Sequence, residues 1–182
     1  MSRSVSTDPQ PRTGASDAVT VAAPRRRRNP WAQTFIGPVP IAFAVGVLLT
    51  AALGAFGVPG LGAWSAWLTG GLSLMFAVAA SGRLHPTVRA GLVAMVPPAF
   101  PYPALIVATT GVLEAAGAIG LLVPATHTAA ALCLALLLVA VYPANVRAAR
   151  LGDRLGSLSS PLLPRTVEQV LYIAACLAVA FA

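Results

Sequence analysis

The sequence predicts an all-α membrane protein, a five-helix transmembrane bundle, from three observations. Of its 182 residues, 57% are hydrophobic and 9% are charged, where a soluble domain carries about 25% charge. The apolar residues gather into runs of roughly 18–20, enough to cross a bilayer as helix. The arginines lie between those runs, as they do where basic residues stay on one side of a membrane.

A soluble globule of this composition would lack the polar surface to cover itself. All 12 basic residues are arginine, and the formal net charge is +7. Four arginines stand together at Arg25 to Arg28. No folded soluble domain accompanies that run, so it reads as an orientation signal and no nucleic-acid partner is expected. The two cysteines, Cys133 and Cys176, form neither a CxxC nor a Cys/His cluster. Metal and thioredoxin-type motifs are therefore absent.

Residues 1–30, rich in Ser, Thr, Ala and Pro at the start and basic at the end, read as a disordered cytoplasmic tail. Trp31 and Phe35 follow the arginines as interfacial aromatics. The first span is expected from Val39 to Phe56, with Pro38 and Pro40 in a first turn that needs no donor. Gly57-Val58-Pro59-Gly60 ends it. A signal peptide is the competing reading, against which stand the length of the run and the lack of a small-residue cleavage site. The second span is Ala63 to Ala80. Arg83, His85 and Arg89 follow it. Then comes Met95-Val96-Pro97-Pro98-Ala99-Phe100-Pro101-Tyr102-Pro103, too rich in proline to be continuous helix. The third span is Ala104 to Val123, carrying Glu114 near its middle. A turn through His127 leads to the fourth span, Ala129 to Val146, whose apolar part closes at Pro143-Ala144-Asn145. The fifth runs from near Arg165 to Ala182.

With Arg25 to Arg28 inside, five crossings put every arginine-bearing segment on one side. The chain is thus expected in the plasma (inner) membrane, N-terminus cytoplasmic and C-terminus outside.

The blocks Met95-Val96-Pro97-Pro98, Pro101-Tyr102-Pro103, Gly111-Val112-Leu113-Glu114 with Gly117 and Gly120-Leu121-Leu122, and Pro143-Ala144-Asn145 resemble the DoxX family of small bacterial membrane proteins. The order and spacing match over about Ser73 to Ala182. His85 stands where that family often has a basic residue or histidine before an aromatic, with Pro86 here in the aromatic's place. Arg165 and Gln169 resemble a pattern before the family's last helix. The resemblance implies a four-helix DoxX-like core over 61–182, with 31–60 an added N-terminal transmembrane helix. It also implies a redox link, since some relatives are membrane subunits of thiosulfate:quinone oxidoreductase.

Glu114 is the first candidate site residue. A carboxylate at the centre of a span costs at least ~2.5 kcal/mol, so a proton relay, a ligand or a structural hydrogen bond must offset it. Ser73 is the expected side-chain partner, and Glu114 is expected to be neutral. A second group at the inner ends of the spans comprises His85, Tyr102, Asn145, Arg165 and Gln169, with Tyr142, Arg147 and Glu168. These residues suit an anionic or quinone head group. Arg83, Arg89, Arg150 and Arg154 read instead as topology arginines reaching lipid phosphates. Asn145 is placed to satisfy carbonyls freed by Pro143 or to meet the Pro97-Pro98 block. His127 reads as a loop residue. Cys133 and Cys176 read as apolar fillers, or as an outer-side redox pair if their helices are neighbours.

The expected function is a redox-linked membrane subunit serving a quinone or a partner oxidoreductase. The alternatives are a small-solute or proton-coupled transporter using Glu114, and a structural or assembly subunit. The bilayer is the first partner, with a partner oxidoreductase or a homo-oligomer beside it. Haem ligand pairs, iron–sulfur cysteine sets and nucleotide loops are lacking, so an enzyme acting alone is not expected. Reporter fusions at Ala182 and after Arg150 should report opposite sides of the membrane; the same side for both removes the five-span topology.

Overall fold

Proline marks where three helices begin. Pro38, Pro86 and Pro103 sit in the first turns of their helices, where the missing N–H has no intrahelical acceptor and the fixed φ suits a helix. The computed structural model describes residues 35–158 and 161–182; the tail expected at 1–30 lies outside the described residues. The helices are α1 (Pro38–Ala55), α2 (Trp64–Gly82), α3 (Pro86–Met95), α4 (Pro103–Leu122), α5 (His127–Leu151) and α6 (Leu162–Ala180). A 3₁₀ segment, Gly152–Leu158, joins the last two. There is no strand among the described residues. All but α3 are long and apolar enough to cross a membrane, five candidate spans in all.

Two elements differ from the expectations. Residues 86–95, read as loop, form α3. At 10 residues it is about 15 Å long, too short to span, and Arg89 interrupts its apolar run. It is held by packing on α4 and α5, a tertiary effect that no local pattern announces. The fourth span continues through Pro143 to Leu151. Pro143 removes one backbone donor but does not end the helix. The proline-rich segment between α3 and α4 is non-helical. It closes at Tyr102, whose φ of 55° is the only positive value at a non-glycine residue among those described. From there its carbonyl accepts the N–H groups of Leu105 and Ile106.

α2, α4, α5 and α6 make a closed ring in which each helix touches the next, and α1 packs outside it against α2. Phe43 of α1 meets Tyr172 of α6, ring centroids 5.4 Å apart. Small residues bring the helices close, as in many membrane bundles. A Cβ at Gly46 would lie 2.5 Å from the Gly70 carbonyl oxygen. One at Gly117 would lie 2.5 Å from Leu134 Cδ2, so α5 packs directly on the α4 backbone. Leu72, Met75, Phe76, Leu121, Leu134, Cys176 and Val179 fill the ring. The ring's outer surface is apolar too: Leu48, Val112, Ile119, Leu136 and Val139 are all exposed. Such a surface is an aggregation liability in water and the ordinary face of a span in lipid.

At the end opposite the proline-rich segment, short bonds fix the turns. Trp67 Nε1 donates to the Leu61 carbonyl at 2.7 Å. His127 does not stand free as a loop residue; its Nδ1 lies 2.7 Å from the Leu121 carbonyl oxygen, pinning the turn between α4 and α5.

Gly46→Val should destabilise the protein by about 2 kcal/mol, the usual scale of overpacking, because the obstruction is the α2 backbone. Gly62→Val, where a Cβ meets nothing within 4 Å, should leave it unchanged. Thermal melts in detergent compare the two; equal melting temperatures would refute close packing of α1 on α2.

Candidate functional site: a polar cluster inside the bundle

Glu114 is only 7% exposed. Its partner is Arg83, the residue that caps the C-terminus of α2. Arg83 Nη2 donates to Glu114 Oε1 at 2.7 Å, and Nη1 donates to Oε2. Nη1 also reaches the Ala79 carbonyl at 3.0 Å. The two side chains are 14% and 9% exposed, so this ion pair is largely removed from solvent. Two parallel N–H···O bonds are the strong geometry for a guanidinium and a carboxylate.

Gly111 makes the pairing possible. A Cβ at that position would lie 2.6 Å from Arg83 Cδ. The arginine stem crosses α4 where the helix has no side chain, one turn before the acid. Ser73, the expected partner, makes no hydrogen bond: its buried Oγ has no partner among the described residues. The weak partners expected for Glu114 give way to Arg83, which turns into the bundle rather than out to phosphates.

The second group joins α5 to α6. Arg165 Nη1 donates to Asn145 Oδ1 at 3.3 Å. Asn145 Nδ2 donates to Gln169 Oε1 at 2.5 Å. Gln169 Nε2 in turn donates to the Leu138 carbonyl. That carbonyl lies next to the one at Val139, which loses its usual donor to Pro143. The side chain serving the backbone near the proline is thus Gln169, with Asn145 holding Gln169 in place. Arg165 Nη2 also donates to the Leu158 carbonyl, tying the 3₁₀ segment to α6. Tyr172 donates to Glu168 Oε1 at 3.0 Å.

Two cavities flank these groups. The larger, about 490 Å³, is walled by α3, the proline-rich segment, α4 and α5. Leu92, Met95, Val96, Pro97, Phe100, Ile106, Val107, Ala140, Val141, Pro143 and Ala144 make it mainly apolar, and Arg83, Thr110, Glu114 and Asn145 supply its polar groups. The smaller, about 230 Å³, lies between α1, α2, α4, α5 and α6, and includes Arg165, Glu168, Gln169 and Tyr172. Glu114 and Asn145 border both cavities.

Glu114, Asn145, Arg165 and Gln169 therefore come together. Tyr102 and His85 do not. Tyr102 is 76% exposed and contributes backbone to the start of α4. His85 is exposed, with Nδ1 2.8 Å from Thr87 Oγ1. Phe100 lines the cavity in the place expected for Tyr102. Tyr172 carried no signal beyond its apolar helix. Arg83 carried one: an acid within a span needs a cation, and Arg83 directly follows the preceding apolar run. Cys133 is exposed and Cys176 buried, and both are free thiols. Among the described residues no three His, Cys, Asp or Glu side chains group as metal ligands.

Residues 72–180, more than half of the chain, match the family described as a domain of unknown function, DUF8561. The match starts within α2 and leaves α1 outside. No curated protein matches the chain, and no solved structure does.

Arg83→Leu should destabilise by about 3 kcal/mol, since it strands a buried carboxylate. Adding Glu114→Leu to that variant should recover most of the loss. Chemical unfolding in detergent provides the double-mutant cycle; additive effects of the two substitutions would mean that the pair does not couple.

Proposed function

We propose that this chain, which belongs to the DUF8561 family, is a membrane-embedded binding subunit for a quinone-like amphiphile, working with a partner oxidoreductase. The observation that carries this reading is the 490 Å³ cavity, whose apolar walls converge on Arg83, Glu114 and Asn145. Ligand sites are commonly concave, about 300–1,000 Å³, and apolar with a few placed polar groups. A quinone has an apolar ring and two acceptor oxygens. Asn145 uses one Nδ2 hydrogen on Gln169, and an amide nitrogen carries two, so a donor remains. Glu114 stands within the same wall as a group able to exchange a proton.

The resemblance to DoxX proteins supports the same assignment, with the ring of α2, α4, α5 and α6 as the DoxX-like core and α1 as the added helix. The arginine distribution supports an inner-membrane orientation with the N-terminus cytoplasmic. The cavity's proline-rich mouth then faces the cytoplasm.

Proton-coupled transport has one observation in its favour, that Glu114 borders both cavities. Beyond Glu114, however, Leu72, Leu121, Leu134 and Val179 are almost fully buried and fill the ring. A further cavity of about 360 Å³ lies at the far end, lined by Thr69, Leu121, His127 and Val179, and the packed side chains of Leu72 and Leu134, which line neither it nor the cavities beside Glu114, favour a one-sided binding site over a path across the membrane.

Purified protein in nanodiscs should bind a single-prenyl ubiquinone saturably, and Asn145→Leu should weaken binding tenfold or more, about 1.4 kcal/mol. Circular dichroism checks that the variant keeps its helices. Non-saturable partitioning, equal in both proteins, would refute the assignment.

A further inference from the structure

A third cavity, about 630 Å³, is a groove on the bundle's surface between α2 and α4. Arg83, Val107 and Gly111 connect it with the internal cavity. Arg83 and Val107 line both spaces. Between them lies Gly111, and the Arg83 stem occupies the room its missing side chain leaves. The partition between groove and cavity at this level is therefore the Arg83 stem lying over Gly111, held by the bonds of its guanidinium to Glu114 and Ala79. Arg83 Nε, at the junction, has no hydrogen-bond partner among the described residues.

The groove floor is cut by small side chains, Ala80, Ala108 and Ala115 among them. Its rim carries Val112, Ile119 and Leu122, each about two-thirds exposed, so it opens toward the lipid. Along α4 the lining extends from Val107 to Leu122, about 22 Å at 1.5 Å per residue. One leaflet's hydrocarbon layer is only about 15 Å, half of the usual core. A trough of that length is more than an acyl chain within one leaflet would fill.

We infer that the groove holds the long polyprenyl tail of the molecule whose head occupies the internal cavity, and that this molecule arrives from the bilayer between α2 and α4, past Arg83. The inference rests on the binding function proposed above and deepens it: the ligand class becomes a long-tailed prenyl quinone rather than a short or water-soluble one. Arg83 then has two positions: across Gly111 when the passage is closed, and swung aside as the head passes.

Two probes separate the inference from its premise: a single-prenyl ubiquinone and a long-chain ubiquinone, both titrated into full-length protein in nanodiscs. Wild type should bind the long-chain probe at least tenfold more tightly. Ala115→Trp, which fills the groove, should remove that advantage and leave the single-prenyl probe unchanged; Ala108→Leu, a smaller obstruction, should do the same in part. A long-chain advantage that survives both substitutions, or no such advantage in wild type, overturns the groove assignment while the cavity stands. Saturable binding of neither probe by wild type overturns the cavity and the groove together.

Discussion

The bidentate bond between Arg83 and Glu114 sets the geometry of this bundle. Each group alone within a span costs about 2.5–3.5 kcal/mol on insertion scales. Together they remove most of each other's field, provided the geometry is good and the remaining donors find acceptors. Ala79 provides one such acceptor. The consequence is positional. Arg83 caps α2 just past its last residue, Gly82, whereas Glu114 lies in the middle of α4, and the Arg83 stem touches the Gly111 position. α4 therefore runs on past the end of α2 through Thr110 to Pro103, about 12 Å at 1.5 Å per residue. That overhang has no α2 beside it. α3, the proline-rich segment and the end of α5 enclose the space, and the larger cavity is what remains inside.

The second constraint comes from Pro143. A proline within a helix leaves backbone acceptors to be satisfied from elsewhere, and in a membrane that means from another helix. The carbonyl freed is that of Val139; Gln169 donates to its neighbour Leu138, and its own orientation is fixed by Asn145 and, behind that, Arg165. α5 and α6 are thus held in register at the depth where α2 and α4 are held by the ion pair. Polar contacts set the half of the bundle near the prolines. Side-chain packing around Leu72, Leu121, Leu134 and Val179 sets the other half.

The spans were legible because a bilayer imposes length and apolarity on any helix that crosses it, and Leu162–Ala180 or Pro103–Leu122 satisfy both from composition alone. Glu114 was legible for the same reason reversed. What could not be read was the direction of single side chains. Arg83 and Arg89 both follow the second apolar run, and only tertiary contact makes one turn inward while the other stays exposed. α3 was invisible because its stability comes from the overhang of α4, which itself depends on the ion pair. Tyr102 misled for a related reason. An aromatic at the end of a span suggests a cavity wall, but the neighbouring Pro103 and a left-handed backbone make it a helix cap whose ring points away.

The charge balance of the cluster narrows what the cavity suits. One acid lies in its wall, Glu114, and an arginine is bound to it. Arg83 binds Glu114 through both carboxylate oxygens, and Glu168 accepts from Tyr172 on the far side of the cluster. A second carboxylate or phosphate would have to compete with Glu114 for the same fork of donors. A neutral molecule faces no such competition. It needs only single donors, and the remaining Asn145 hydrogen is of that kind. The bidentate pair thus leaves single donors rather than a free guanidinium fork facing the cavity, which suits neutral acceptors on an apolar frame.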